Sequence, residues 1–130
     1  MIERIPHPER RVDEGKIASA IRCGDWLFIS GHGPLDLLTG QYVPGTIVEE
    51  TARTLDHIGK ILGAAGGGPG NVVKCTCYLS DLSDFEGFNS EFLKFFAPSP
   101  PTRTTSQAAL LRGIRVEIDA IAFIPSAGTC

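Results

Sequence analysis

The sequence predicts an α+β domain in which two helices pack on one face of a mixed β-sheet. Short runs of alternating apolar residues occupy the first third of the chain, and two helical patterns follow, each beginning at a capping signal. Further alternating runs lie between and after the helices, which gives the order β-β-β-α-β-α-β-β. A chain of 130 residues with 42% hydrophobic residues has the size of one domain with one core. We therefore expect residues 1–130 to form a single domain.

Two or three antiparallel strands are predicted before residue 44. The segments are IASAIRC from Ile17, DWLFISGHGPLD from Asp25, and GQYV after the turn signal at Thr39 and Gly40. Each alternates or runs apolar over a length typical of a strand.

A first helix is predicted over residues 47–65. Thr46 and Glu49 have the spacing of a capping box, and the glycine-rich segment 66–70 ends the pattern. The apolar residues at helical intervals are Val48, Ala52, Leu55, Ile58 and Leu62. The glycine-rich segment has no following Lys-Ser/Thr pair, so it is interpreted as a helix stop and not as a phosphate loop.

The second half of the chain alternates strand, helix and two strands. The run NVVKCTCYLS predicts a strand that buries Cys75 and Cys77 on one face. Ser83 and Glu86 are spaced as a second capping box, followed by a stripe of five phenylalanines, interpreted as core: Phe85, Phe88, Phe92, Phe95 and Phe96. Prolines at 98, 100 and 101 end this helix, and strands are predicted over 103–110 and 116–124.

Composition excludes several classes of function. The net charge of −3 and pI near 5.5 argue against a nucleic-acid binder, which normally carries a basic surface. No apolar run approaches the roughly 20 residues that span a membrane, and the N-terminus lacks the apolar stretch of a signal peptide. The four cysteines, at positions 23, 75, 77 and 130, show neither zinc-site spacing nor a disulfide pattern. We expect a soluble cytoplasmic protein without a bound metal.

One face of the predicted sheet is only partly apolar. In VEIDAIAFI, alternation places Glu117, Asp119, Ile121 and Phe123 on the face away from the helices. A half-apolar face left in water is unusual for a monomer, and copies of the same chain commonly cover such a face. The sequence therefore predicts a homo-oligomer.

Several segments, in order, resemble the Rid (reactive intermediate deaminase, YjgF) family over nearly the whole chain. They are the strand ending in Ser-Gly, the D-x-x-T-G turn, N-V-V-K-x-T-x-Y-L, D-F-x-x-F-N, P-T-R-T and V-E-I-x-A-I-A. The resemblance implies a chorismate-mutase-like homotrimer with sites in the clefts between subunits. It also implies hydrolysis of reactive enamine and imine acids to 2-keto acids and ammonia, without a cofactor.

The family's essential arginine falls on Arg103. A planar guanidinium offers two parallel N–H groups to a substrate carboxylate, and the prolines before the strand restrict the backbone that carries it. Composition alone favours a surface arginine paired with a neighbouring acid, and the matching motif favours the substrate anchor.

Further site residues are implied by the same resemblance. Glu117 matches a glutamate that orients or activates the attacking water, although it could instead be a structural partner of Arg115 or Arg112. Asn89 matches a helix asparagine, for which a structural role, bonding to nearby backbone, is favoured over a catalytic one. Substrate contacts are implied for Ile17, Ser30, Gly31, His32, Thr104 and Thr105, together with Arg103 and Asn89.

The chain departs from the family's usual pattern at three of these positions. Ile17 stands where a tyrosine is common, His32 replaces a glutamine, and Thr105 replaces a cysteine. Histidine can titrate near neutral pH and could act as an acid or a polar contact. Because Ile17 cannot donate a hydrogen bond, a bulkier or less polar substrate tail is expected. The same loss leaves a second hypothesis open, a non-catalytic trimer that binds small carboxylic acids in this cleft.

Overall fold

The computed structural model describes residues 2–10 and 17–126, in which six strands form one sheet. The strands are β1 (Ile2–Ile5), β2 (Ala20–Cys23), β3 (Trp26–His32), β4 (Val72–Leu79), β5 (Thr102–Gln107) and β6 (Val116–Phe123). The helices are α1 (Ile47–Ala64) and α2 (Phe85–Phe96). The strand order across the sheet is β1-β2-β3-β6-β4-β5, and only the β4–β5 pair is parallel. The predicted mixed sheet with two helices is confirmed.

The first strands differ from the prediction in two places. β1 was not predicted, because its exposed residues Glu3 and Arg4 hide the alternation, as is typical of an edge strand. Segment 40–43 is not a strand, since the structure has only an isolated bridge between Leu35 and Tyr42 there. The Asp36 carboxylate accepts hydrogen bonds from the backbone of the next turn, so the chain reverses before a ladder can form.

Helix α1 begins and ends where the sequence predicts. The amide of Thr46 donates to Glu49 Oε1 at 2.9 Å, the amide of Glu49 donates to Thr46 Oγ1 at 3.1 Å, and Gly66 follows with a left-handed φ of 86°.

The buried face of α1 was predicted only in part. Val48 and Ala52 are exposed, and Glu50 takes a buried place instead. The Glu50 carboxylate accepts hydrogen bonds from the amides of Gly45 and Arg115, at 3.1 and 2.7 Å, which offsets its desolvation. Apolar periodicity cannot reveal a buried charge of this kind.

The second capping box is wrong. Asp84 is the N-cap residue of α2 and makes no side-chain capping bond, while the amide of Ser83 donates to Asp81 Oδ1 within the preceding turn. The phenylalanine stripe is confirmed as core, with Phe88, Phe92 and Phe96 at most 2% exposed.

The two faces of the sheet differ in chemistry, as predicted. Val116, Ile118, Ala120 and Ala122 are buried beneath the helices, and the residues between them lie on the opposite face. That opposite face exposes Trp26, Phe28 and Phe123 by 43%, 47% and 38%. Cys75 and Cys77 are fully buried as predicted, and burial raises the pKa of the Cys75 thiol to about 12. Cys130 lies outside the described residues.

Candidate functional site

Arg103 lies on edge strand β5 with its side chain under α2. Its Nη1 donates to Asn89 Oδ1 at 2.7 Å. Its Cζ lies 4.7 Å from the ring centroid of Phe92 and 5.5 Å from the centroids of Phe85 and Phe88, so the rings attract the cation. No carboxylate in residues 2–10 and 17–126 forms an ion pair with Arg103. The guanidinium is held in place without being neutralised, unlike a paired surface arginine.

The neighbours of Arg103 on β5 divide between the two faces. Thr105 shares the face of Arg103, because both pair with buried cysteines of β4, and its Oγ1 is buried without a hydrogen-bond partner among the described residues. Thr104 lies on the opposite face, where Lys74 Nζ donates to its Oγ1 at 3.3 Å. Asn89 was expected to bond backbone, and its side chain instead contacts the arginine. We define Arg103, Asn89 and Thr105 as the arginine group.

A pocket of about 300 Å³ lies at the end of β3 and contains four predicted contact residues, Ile17, Ser30, Gly31 and His32. The backbone of residues 18 and 19 fixes this strand end. Ser30 Oγ donates to the Ala18 carbonyl at 2.7 Å, and the Ser30 amide donates to the Ser19 carbonyl at 3.0 Å. Ile17, 72% exposed, stands at the rim.

Glu117 lies directly beside this pocket. A Cβ placed on Gly31 would lie 2.6 Å from Glu117 Oε2, so only glycine leaves room for the carboxylate at that position. Burial, and to a smaller extent the charge of Asp119, raises the pKa of Glu117. Arg115 is engaged elsewhere, with Nη1 3.5 Å from Asp84 Oδ2. Among the described side chains, neither Arg115 nor Arg112 forms an ion pair with Glu117, so the structural pairing has no support.

His32 does not titrate near neutral pH. Desolvation lowers its pKa to about 4, despite the hydrogen bond between Nε2 and the Ser19 carbonyl at 3.1 Å. A carbonyl only accepts hydrogen bonds, so Nε2 carries the proton of the neutral ring and Nδ1 is left as an acceptor. With a pKa of about 4, His32 is neutral at pH 7, which favours a polar contact over an acid as its role. We define Ile17, Ser30, Gly31, His32 and Glu117 as the pocket group.

The arginine group and the pocket group lie far apart within one chain. Strands β6 and β4 stand between β3 and β5, so the pocket end of β3 and Arg103 are separated by three strand spacings, about 14 Å in total. Glu117 and Arg103 also lie on opposite faces of the sheet. A small acid bound to Arg103 cannot reach the pocket group of the same chain.

Most of the residues that line the pocket were not predicted from the sequence, among them Arg10, Tyr42 and Arg112. They come from the N-terminal segment, the turn after β3 and the turn before β6, and no local pattern shows that these three segments meet. The phenylalanines were recognised as core but not as the support of Arg103. Across the part of the chain that the structure describes, no cluster of His, Cys, Asp or Glu is arranged to hold a metal ion, and no helix is long and apolar enough to cross a membrane.

Comparison with known proteins places the chain in a family. The model of the family described as Endoribonuclease L-PSP matches residues 11–124. The chain belongs to the Rid (YjgF) family. Among Rid relatives, the mouse 2-iminobutanoate/2-iminopropanoate deaminase is 45% identical over 109 residues, which are 83% of this chain and 81% of the mouse protein. A RutC family protein of Pyrococcus horikoshii is 38% identical over 110 residues, 84% of this chain and 87% of that protein.

The fold agrees with this assignment. The structure of RidA from an Antarctic Psychrobacter is 31% identical, matches with a TM-score of 0.86, and the match covers 94% of this chain and 99% of that chain. The resemblance to the Rid family that the strand and helix motifs indicate is thus confirmed.

Proposed function

We propose that this protein is a deaminase that hydrolyses 2-imino and enamine acids to 2-keto acids and ammonia. The observation that carries the proposal is the Arg103 guanidinium, held by Asn89 and three phenyl rings with no carboxylate partner in the described residues. A guanidinium fixed in this way is suited to bind a substrate carboxylate through two parallel hydrogen bonds. The similarity to the mouse 2-iminobutanoate/2-iminopropanoate deaminase supports the reaction class.

Glu117 is the proposed acid and base. Water adds to the imine carbon and gives one proton to the Glu117 carboxylate, which passes it to the imine nitrogen to form a carbinolamine. Glu117 then takes the hydroxyl proton of the carbinolamine and delivers it to the amine nitrogen, so the C–N bond breaks, ammonia leaves and the carbonyl forms. The raised pKa of Glu117 makes the carboxylate a better proton acceptor than an exposed glutamate. The sum is one imine and one water converted to one keto acid and one ammonia, so water and proton transfers account for the whole reaction.

The site is proposed to lie between two copies of the chain. The arginine group of one copy and the pocket group of the next would face each other, which overcomes the separation of about 14 Å within one chain. A closed homotrimer contains three such contacts and would also cover the exposed aromatic face that carries Trp26, Phe28 and Phe123.

The test is direct. An amino-acid oxidase generates 2-iminopropanoate or 2-iminobutanoate in the assay, and loss of imine and release of ammonia are followed with and without the protein. Accelerated ammonia release that disappears in Glu117→Gln supports the deaminase. Tight binding of the 2-keto acid with no acceleration of imine loss would contradict it and leave the non-catalytic carboxylate-binding trimer.

A further inference from the structure

Two arginines that the proposed reaction does not use line the same pocket. Arg10 and Arg112 stand there beside Ile17 and His32, and the one acid of the pocket group, Glu117, forms an ion pair with neither arginine. The proposed reaction needs one guanidinium for the substrate carboxylate, and Arg103 supplies it from the other group. Two further positive charges in the pocket therefore need a separate explanation.

Neither of these arginines is neutralised by the part of the chain that the structure describes. No carboxylate there forms an ion pair with Arg10 or Arg112. Arg10 Nε is buried and has no hydrogen-bond partner among the same residues. Buried donors are normally paired, so an unpaired guanidinium nitrogen beside a pocket indicates a missing acceptor.

The backbone at Arg112 gives an independent indication. Its φ of 59° and ψ of 23° lie in the left-handed region, which a residue with a long side chain rarely adopts. Gly113 follows with a φ of 72°, so the turn already contains a glycine suited to that conformation. Strained non-glycine residues persist where the surrounding structure requires them, often at ligand sites.

The other arginines with a described role are engaged by acceptors. Arg22 donates to the carbonyls of Ala65 and Ile124 at 2.6 and 2.7 Å, and Arg115 donates to the Gly45 carbonyl at 2.9 Å. Arg10 and Arg112 differ from these in lining the pocket, where Arg10 Nε is buried without an acceptor among the described residues and Arg112 is exposed to solvent.

We propose that Arg10 and Arg112 form a subsite for a second carboxylate, on the side chain of the substrate. The proposal rests on the proposed deaminase site, in which Arg103 of the neighbouring copy binds the first carboxylate. The apolar rim residues Ile17 and Leu111, 72% and 73% exposed, would contact the methylene stem between the two acids. The preferred substrates are then imines of acidic amino acids, with the glutamate-derived imine having the longer stem.

The first experiment compares substrates of equal size. The imines derived from glutamate and glutamine differ only in the charge of the terminal group, and the alanine-derived imine provides the activity of the bare site. We expect kcat/KM for the glutamate-derived imine to exceed that for the glutamine-derived imine by about tenfold or more, since the arginines then pair with a charged carboxylate instead of a neutral amide. The preference should shrink as salt is raised, because the subsite is open to solvent.

Variants assign the preference to the two arginines. Arg112→Asn removes the charge and tolerates the left-handed backbone, and Arg10→Gln removes the other charge. Either change should bring the glutamate-to-glutamine ratio toward one. Arg53→Gln, on the exposed surface of α1 and outside this pocket, changes the net charge equally and should leave the ratio high.

The outcomes separate this inference from the proposed function. Hydrolysis of the alanine-derived imine with equal rates for the glutamate- and glutamine-derived imines would leave the deaminase intact and overturn the subsite. If no imine is hydrolysed, the affinities for 2-oxoglutarate and 2-oxopentanoate, measured by calorimetry, test the subsite. Tighter binding of 2-oxoglutarate that Arg112→Asn abolishes would support the subsite, and equal binding of the two acids would overturn it.

Discussion

Arg103 and Glu117 lie on opposite faces of the same sheet, the first beneath α2 and the second beside Gly31 on the face that no helix covers. Both side chains are half-buried, and neither forms an ion pair with a described residue. Each therefore lacks a charged partner among the described residues. In the proposed site, a substrate held between two copies would give both groups a partner at once.

Arg103→Lys should remove most imine hydrolysis and carboxylate binding while leaving the fold intact. Lysine keeps the positive charge but loses the paired N–H groups and the planar contact with the ring of Phe92. A hydrogen bond to a charged group contributes about 1.5–3 kcal/mol, so affinity should fall by about one to two orders of magnitude. Steady-state kinetics and 2-keto acid titration measure the loss. Wild-type turnover in this variant, or an equal loss in the control Arg53→Lys, would refute the anchor.

The sequence predicts most of the fold because apolar periodicity and capping residues act locally. Helix α1 shows this, since the reciprocal bonds of Thr46 and Glu49 form as their spacing predicts. Errors occur where a polar group is buried through distant partners or where an edge strand carries charge. Glu50 is an example, because its buried carboxylate depends on the amide of Arg115, 65 residues away.

The family resemblance identified the candidate site residues, but only the structure shows which of them lie together. No local pattern shows that Asn89 accepts from Arg103, because the contact joins a helix to an edge strand. The environment of His32 could not be predicted from the sequence either, because the desolvation that lowers its pKa arises from tertiary packing.

Glu117→Gln should abolish hydrolysis and stabilise the fold at neutral pH. General acid–base catalysis contributes about 10²–10⁴-fold, so kcat should fall by at least about a hundredfold. The folded-state pKa of Glu117 is raised above the usual 4.5. Ionisation of Glu117 therefore lowers the stability of the fold as the pH rises above 4.5, and the loss is complete above the folded-state pKa. Denaturant unfolding should show the variant more stable than wild type at pH 7 and equal to it near pH 4. A less stable variant at pH 7 would contradict the desolvation of Glu117.

His32→Gln should make the protein less sensitive to acid. The folded-state pKa of about 4 lies below the unfolded value of 6.5. Between pH 6.5 and pH 4 the unfolded chain binds a proton at His32 that the folded chain does not, so wild type loses stability as the pH falls through this range. Glutamine removes this contribution, while His7 and His57, whose pKa values are also lowered, keep theirs. The measurement is the free energy of unfolding at several pH values. Parallel curves for the two proteins would show that His32 is not desolvated to the extent that its lowered pKa requires.

Phe28→Asp should break the assembly without unfolding the chain. Phe28 is 47% exposed on the uncovered face of β3, so a single chain tolerates a charge there, whereas an interface does not. Light scattering should give three times 13.9 kDa for wild type and 13.9 kDa for the variant, with unchanged circular dichroism. A monomeric wild type at micromolar concentration would contradict both the trimer and the shared site.

Mixing two inactive variants should restore activity if each site takes Arg103 from one copy and Glu117 from the next. Arg103→Lys chains retain a good pocket group, and Glu117→Gln chains retain a good arginine group. After joint unfolding and refolding at equal concentrations, about a quarter of the sites in random trimers should pair an intact Arg103 with an intact Glu117. Activity should therefore return to about a quarter of the wild-type value.

The double variant Arg103→Lys and Glu117→Gln, refolded with wild type, is the matched control for that mixture. Here a site is intact only when both contributing copies are wild type, so about a quarter of the sites are again active. In this mixture the activity falls from the wild-type value, whereas in the first mixture it rises from zero. Recovery in the first mixture and dilution in the second require residues from two chains in one site. If the first mixture stays inactive while the second retains about half of the wild-type activity, both residues act within one chain. The separation of Arg103 from Glu117 across the sheet would then have to be overcome by a rearrangement of β5.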